Sequence, residues 1–547
     1  MHISKLKYTL LLLFTSIALP LAAQKKKQPK LMVGIIVDQM RPDYLYRFYD
    51  QFGEGGFKRL LQDGYNCRNT HYNYVPTVTG PGHATVYTGT TPRYHGIVGN
   101  TWYDRYKNIN VYCTDDSTEQ NLGSKPETMG VSPRNMIATT ITDELKMTTN
   151  KRGKVIAVSL KDRGAALPAG HMADGAYWFH KETGEFISST FYMKELPAWV
   201  QAFNSRKRAD FYTQQVWEPL LPADAYHLSL PDDNNYEEIY KGKDRPTFPY
   251  DLKQLAPLNS PYYEVLNRSP FGNSLLTDLA LEALTNEGLG KDNYTDMLAI
   301  SLSSTDAAGH TFGPFSKEIN DVYLRLDRDL ARLLSALDKE VGKGNYTLFL
   351  TSDHAASEVP LYLTDNNLPG GTMQHNKLTQ EVKQFLEQKL GQGNWIESLR
   401  NNQYYLDRDL LRIKNLDLLQ VQNMLAEFLR EKEGISRVMT APQLDQQEYS
   451  QHLDERLANG FMYKRSGDVR FELEPGWTGE MKTATTHGSG YAYDTHVPLL
   501  WYGAGIPKGE SFQYHTITDV APTVSMLLQI KLPNACTGQA ITEVLGK

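Results

Sequence analysis

Cysteine is scarce in this chain, three among 547 residues. That excludes a disulfide scaffold and a zinc module built on four cysteines. A basic surplus is missing too, with 57 Lys and Arg against 63 Asp and Glu and a formal charge of −6. A nucleic-acid polymer is therefore not the expected partner. Long apolar runs are absent: the longest, residues 10–19, covers about ten positions, whereas a membrane-spanning helix takes about 20. No stable membrane insertion is expected. Internal repeats and low-complexity segments are also lacking. What remains is a globular composition, 40% hydrophobic and 22% charged, which rules out a disordered chain, a collagen and a coiled coil. The length allows several domains or one large domain with insertions.

The first 23 residues read as an address. Lys5 and Lys7 precede the apolar run, and Pro20-Leu21-Ala22-Ala23 follows it. Positive, apolar and small-residue segments in that order describe a signal peptide cleaved near Ala23, hence an exported, periplasmic or secreted protein. In an oxidising compartment Cys67 and Cys113 could pair, leaving Cys536 odd. The lysines at 25–27 and Lys30 read as a solvated stub.

Further along, strand-like runs end in charged residues. Residues 31–37 are continuously apolar and stop at Asp38; residues 296–304 precede Asp306; residues 346–352 precede Asp353-His354; residues 155–160 precede Lys161-Asp162-Arg163. Residues 497–502 form a fifth run, with Pro498 limiting it to an edge or a late start. Apolar runs without alternation fit strands buried on both faces, as in parallel sheets. Helical spacing over residues 316–339 and 517–528 adds alternating helices. The expected fold is α/β, a mostly parallel central sheet flanked by helices, formed by residues 24–547. Ligands in such sheets bind at the carboxyl ends of the strands, so these charges should share one rim. Residues from about 165 to 290, rich in Tyr, Pro and Asn, read as an insertion. Residues from about 365 to 480 read as a smaller α+β lobe, with helices near 378–390 and 416–432 and strands near 436–440 and 469–473.

Three motifs supply metal-ligand chemistry. Asp306-Ala-Ala-Gly-His310 puts a carboxylate and an imidazole on one face of a helical turn. Asp353-His354 sits at a strand end, and His487 lies in the Gly-containing loop Thr486-His-Gly-Ser-Gly490. With Asp38 these make six ligands, or two groups of three. Asp and His without Cys suit catalytic zinc, and two such ions about 4 Å apart can clamp an in-line displacement. A nucleophile candidate lies in Pro76-Thr-Val-Thr79-Gly-Pro-Gly. Thr79 is expected just before a helix carrying Pro81 in its first turn, where the dipole favours an alkoxide; Thr77 competes with it, and a plain N-cap role is the bland reading. The remaining histidines, His83 among them, read as structural, with His496 a candidate for supporting the metal loop.

Asp38, the PTxT segment, His95-Gly-Ile-Val-Gly-Asn100, Asp306xxxHis310, Asp353-His354 and His487-Gly occur in an order that resembles the alkaline phosphatase superfamily. The PTxT…HGxxxN spacing is similar to the nucleotide pyrophosphatase/phosphodiesterase branch. Lys161-Asp-Arg163 departs from that branch and resembles the phosphate-irrepressible alkaline phosphatases of the PafA type, which are phosphate monoesterases. The resemblance implies Thr79 as a nucleophile that becomes phosphorylated. It implies one zinc on Asp306, His310 and His487, a second on Asp38, Asp353 and His354 with Thr79, and phosphoryl contacts from Asn100, Lys161 and Arg163. Two zinc ions and small phosphate monoesters are the expected cofactors and substrates. The physical argument runs the same way. A monoester dianion carries more charge on its non-bridging oxygens than a diester does, and two added cations would neutralise it. Lys161 and Arg163, two apart, point to one face if the backbone there is extended. A phosphodiesterase of the same superfamily is the alternative; an exported glycan- or phosphate-binding protein with structural metals is a more distant one.

Overall fold

The computed structural model describes residues 28–123, 129–450, 452–479 and 482–546. The expected signal peptide lies outside them. Among the described residues the largest sheet has twelve strands. Its centre is built from β1 (Leu31–Val37), β2 (Val155–Ser159), β3 (Gly175–His180), β4 (Asp296–Leu302), β5 (Tyr346–Thr351) and β6 (Leu499–Gly503). The spatial order is β6-β5-β1-β4-β2-β3. β5, β1, β4, β2 and β3 run parallel, and β6 is antiparallel to β5. The flanks beyond are largely antiparallel, so the fold is a mixed α/β sheet with a parallel centre. Pro498 separates a two-residue strand from β6, which starts at Leu499 and lies inside the sheet.

Strand parity sorts the core. Val33, Ile35, Val37, Leu298 and Leu348 join one buried cluster with the helix Lys317–Leu337. Met32, Ile36, Met297 and Phe349 join another on the opposite face, with the helix Val520–Leu528. Every residue of β1, β4 and β5 is buried, as the unbroken apolar runs require. The long helix starts where Ser316 accepts a bond from the Ile319 N–H, an N-cap that satisfies an orphan donor.

Two sequence expectations need correction. The stretch from 165 is not all outside the sheet, because β3 and the strand Glu185–Ser189 extend it. All three cysteines are free: Cys67 and Cys113 belong to separate buried clusters. Residues 396–473 supply a distinct four-stranded sheet. The helices His375–Leu390 and Leu418–Arg430 cover it, and it has its own apolar core.

Candidate active site

The parallel centre brings the charged strand ends to one rim. Asp38 follows β1, Lys161 follows β2, and Asp353 with His354 follows β5. Asp306 and His310 lie on α2 (Ser304–Phe312), the helix that follows β4, and the i, i+4 spacing places His310 Nε2 3.2 Å from Asp306 Oδ1. His487 comes from a distant loop, its Nε2 3.6 Å from the same oxygen. His354 and His487 stack with centroids 3.4 Å apart. Asp306, His310 and His487 offer ligand atoms within 4.8 Å of one another, and so do Asp38, Asp306 and His354. Asp306 therefore sits between the two groups. Asp353 Oδ2 lies 3.6 Å from His354 Nε2.

These residues fit divalent cations by the chemistry of their donors. Nδ1 of His310, His354 and His487 lies 2.8, 3.0 and 2.8 Å from the carbonyls of Thr485, Ala355 and Thr77. A carbonyl only accepts, so each Nδ1 carries a proton and each Nε2 is the ring nitrogen left to face the site. Asp38 Oδ1, Asp353 Oδ2 and His354 Nε2 are buried with no hydrogen-bond partner, and such atoms are costly unless something coordinates them. Burial pushes the His354 imidazole down, and burial with the adjacent imidazoles pushes His487 well down, which keeps both neutral. Burial would raise the Asp306 carboxyl, but Lys161, His310 and His487 hold it well below the usual range. Burial and the facing Asp38 push Asp353 well above it. Lys161 Nζ lies 2.7 Å from Asp38 Oδ2 and 2.6 Å from Asp306 Oδ2, so a cation already bridges two of the carboxylates. Burial opposes its charge, yet Asp306 and Asp38 raise its pKa.

Thr79 opens α1 (Thr79–Thr88), with Val78 as the N-cap. It is thus the first helical residue and not the expected cap. Its hydroxyl is spared a capping bond and lies 3.4 Å from Arg163 Nη2. Thr77, the competitor, donates its hydroxyl to the Ser489 carbonyl at 2.9 Å, so its hydroxyl proton is already engaged there. Gly82 allows the close approach of α1: a Cβ there would strike the Asp353 backbone. Asn100 Oδ1 accepts from the Gly80 N–H at 2.7 Å, which leaves its NH2 free to donate. Lys161 is the N-cap of the helix Asp162–Ala169, and Arg163 lies inside its first turn. They reach the site from a helix start and not from an extended strand. Arg163 Nη1 is held by the Tyr112 hydroxyl at 2.9 Å, which itself donates to Asp162 at 2.6 Å.

Four residues at the site escaped the sequence reading. Gln39 donates to Asp306 Oδ1 at 2.8 Å. His83 Nδ1 donates to the Thr79 carbonyl at 2.9 Å and lies 3.4 Å from Asp353 Oδ2, which ties the Thr79 helix to the Asp353 carboxylate. Its spacing of four from Thr79 was the available signal. Tyr112 and Asp162 carried none beyond proximity to Arg163. His496 has no part here; it stacks on His71 and bonds the Arg68 carbonyl.

Similarity to known proteins agrees with this geometry. A family model described as type I phosphodiesterase / nucleotide pyrophosphatase matches residues 32–494. A Myroides odoratus protein named calcium-transporting ATPase is 43% identical over 529 residues, 96% of each chain. Alkaline phosphatase PafA of Elizabethkingia meningoseptica is 43% identical over 532 residues, 96% of this chain and 97% of that one. A crystal structure of wild-type alkaline phosphatase PafA superposes with a TM-score of 0.92 at 43% identity, covering 95% of this chain and 99% of the other. The chain is therefore a member of the type I phosphodiesterase/nucleotide pyrophosphatase family, within the alkaline phosphatase superfamily.

Proposed function

We propose that this protein is an exported alkaline phosphatase that hydrolyses small phosphate monoesters through a phosphothreonine intermediate on Thr79. The observation that carries the reading is the placement of Arg163 against the Thr79 hydroxyl, with the Lys161 ammonium between Asp38 and Asp306. The names of the PafA relatives support the activity.

Asp306, His310 and His487 would hold one zinc ion, and Asp38, Asp353, His354 and the Thr79 oxygen a second. Bound there, the ions lower the pKa of a hydroxyl or water and neutralise phosphoryl charge. The chain's residues do the rest. Thr79 Oγ1 forms a bond to phosphorus as the ester P–O bond breaks; its proton passes to solvent, and the departing alkoxide takes one up. Water then attacks the phosphothreonine, releasing inorganic phosphate and restoring the hydroxyl. Arg163, fixed by Tyr112, donates to the non-bridging oxygens, as do the Asn100 amide and Lys161. His83 and His487, bonded to the Thr79 and Thr77 carbonyls, keep the nucleophile segment in register with the ligands. Elemental analysis of the purified protein, with initial rates on phenyl phosphate and its methyl diester, tests the proposal. Two zinc ions per chain and faster monoester turnover are expected; a faster diester would return the assignment to a phosphodiesterase.

A further inference from the structure

Beyond His310 the site opens into a cavity of about 350 Å³, within the usual range for small-molecule pockets. Its inner wall includes Arg163, Asp306 and His310. Its outer wall comes from the tyrosine- and proline-rich region that supplies none of the expected metal ligands: Lys181, Glu238, Glu264, Asn267 and Arg268. The Glu238 N–H donates to the Thr311 carbonyl at 2.8 Å, so this wall is seated directly on α2.

Three features define what the cavity can hold. First, its outer charges cancel. Glu264 lies 2.8 Å from Lys181 Nζ and 3.7 Å from Arg268 Nε, and Glu238 is a second carboxylate. A second phosphate or a carboxylate on the leaving group would meet these two carboxylates as well as the two cations. Second, among the described residues no Phe, Tyr or Trp lines it, and the one aliphatic side chain is Ala307. A nucleobase or an aryl ring would find no Phe, Tyr or Trp ring there, only the His310 imidazole and two guanidiniums. Third, it contains unused hydrogen-bonding groups. Asn267 is 5% exposed and Ser303 2%, both line the cavity, and Asn267 Oδ1 and Ser303 Oγ have no partner. Buried polar atoms of this kind are normally satisfied, and alcohol hydroxyls are the complementary group for an amide oxygen, a serine hydroxyl and a carboxylate.

We propose that this cavity is the leaving-group subsite, and that it recognises neutral polyhydroxylated alcohols, so that sugar and polyol phosphates are the preferred esters. The inference rests on the monoesterase reading and deepens it. Hydroxyls of the departing alcohol donate to Asn267 Oδ1 and to Glu238, and one exchanges a bond with Ser303 Oγ. The region from about 165 to 290 thereby acquires a role, forming the half of the pocket that the metal-bearing loops leave open.

The test is a ratio of specificity constants, kcat/KM on glucose 6-phosphate divided by kcat/KM on phenyl phosphate. It is measured for the full-length holoenzyme and for Asn267→Leu and Glu238→Ala. Phenol offers no hydroxyl beyond the ester oxygen, so it reports the phosphoryl site alone. The ratio is expected to fall at least fivefold in each variant, because a site built to bond hydroxyls loses discrimination when its acceptors go. Glu238 is only partly buried, so its variant carries the test if Asn267→Leu fails to fold. A ratio within twofold of wild type in every folded variant overturns the subsite. A wild-type enzyme inactive on both esters overturns the monoesterase reading itself.

Discussion

Arg163→Ala isolates the charge that separates a monoester from a diester. Lys161 is less suitable, because it also bridges Asp38 and Asp306 and its loss would disturb both carboxylates. Arg163 touches none of them: its partners are the Tyr112 hydroxyl and Thr79 Oγ1. Arg163 is half-buried, with its Nε shielded from solvent, so a phosphoryl oxygen beside Thr79 meets it partly out of water. A hydrogen bond to a charged group contributes about 1.5–3 kcal/mol, and about 1.4 kcal/mol is tenfold in rate. The truncation should lower kcat/KM on phenyl phosphate by roughly 10- to 150-fold. On methyl phenyl phosphate the loss should stay below about fivefold, since one non-bridging oxygen is already esterified. The assay is initial rates on both esters with the same enzyme preparation, zinc content checked in each. Tyr112→Phe serves as the graded case: it leaves the cation but removes the hydroxyl that orients it, and should give a smaller, monoester-biased loss. Equal losses on the two substrates would refute the reasoning, because they would make Arg163 a support for the fold or the nucleophile and not a reader of phosphoryl charge.

Other consequences follow from the same geometry. Thr79→Ala should abolish turnover and incorporation of phosphate into the protein while elemental analysis still finds metal; retained turnover would return the nucleophile to another group. Chelation should lower Tm, and added Zn2+ should restore it, because an ion held by the native ligands stabilises by about 2.7 kcal/mol at 100 times its Kd; an unchanged Tm would separate the ligands from folding. Away from the site, Glu237 and Glu318 are both buried, and burial pushes their carboxyls above the usual range, helped by the Glu318 charge at Glu237 and by Asp232 and Asp321 at Glu318. Asn234 and Tyr250 donate to them at 2.6 and 2.7 Å, while Glu237 Oε2 and Glu318 Oε2 have no other partner. The unfolded carboxyls ionise near 4.5 and the folded ones at higher pH. Stability is therefore full below about 4.5 and falls as pH rises toward the folded values, by about 1.4 kcal/mol per unit for each proton. Glu237→Gln supplies a permanent N–H in place of that proton, so its Tm gain should be larger at pH 8 than at pH 4.5; equal gains would rule out the shared proton.

The sequence disclosed the candidate ligands because their constraint is local. An apolar run that ends in Asp38 or in Asp353-His354 marks the rim of a parallel sheet, and Asp306 four residues before His310 marks one helical face. His487 was visible only through its glycine neighbours. What stayed hidden depends on contacts between distant segments. Gln39 reads as any turn residue until α2 lies beside it, and Gly309 allows that approach, since a Cβ there would overlap the Gln39 amide. Tyr112 is 51 residues from Arg163, and nothing in its own neighbourhood announces the bond. The outer wall of the cavity was illegible for the same reason: Glu238 and Asn267 lie in irregular or very short elements without periodicity. Another local misreading, an extended backbone through Lys161 and Arg163, arose because both side chains reach the same place. A helix start delivers them there as well as a strand would.

That helix start adds to the chemistry. α1 begins at Thr79 and the helix Asp162–Ala169 begins directly after Lys161, and both first turns border the position a phosphoryl group would take. Each helix start contributes the positive end of its dipole, with the Gly80 and Arg163 N–H groups already bonded to Asn100 Oδ1 and Asp162 Oδ1. The second helix lies tight against the sheet because residue 164 is glycine: a Cβ there would strike the hydroxyls of Ser159 and Ser301. Ser301 also bonds His83 Nε2 at 2.8 Å, so the packing that seats the Arg163 helix is continuous with the packing that seats Thr79. Two side-chain cations and two helix starts would thus act together on one phosphoryl group. A diester, with one charge fewer, gains less from each of them. Monoester preference in this fold is then a collective property of the rim, and replacing Lys161 and Arg163 together should narrow the gap between the two esters without closing it; complete loss of discrimination in the double variant would assign the preference to the two side chains alone.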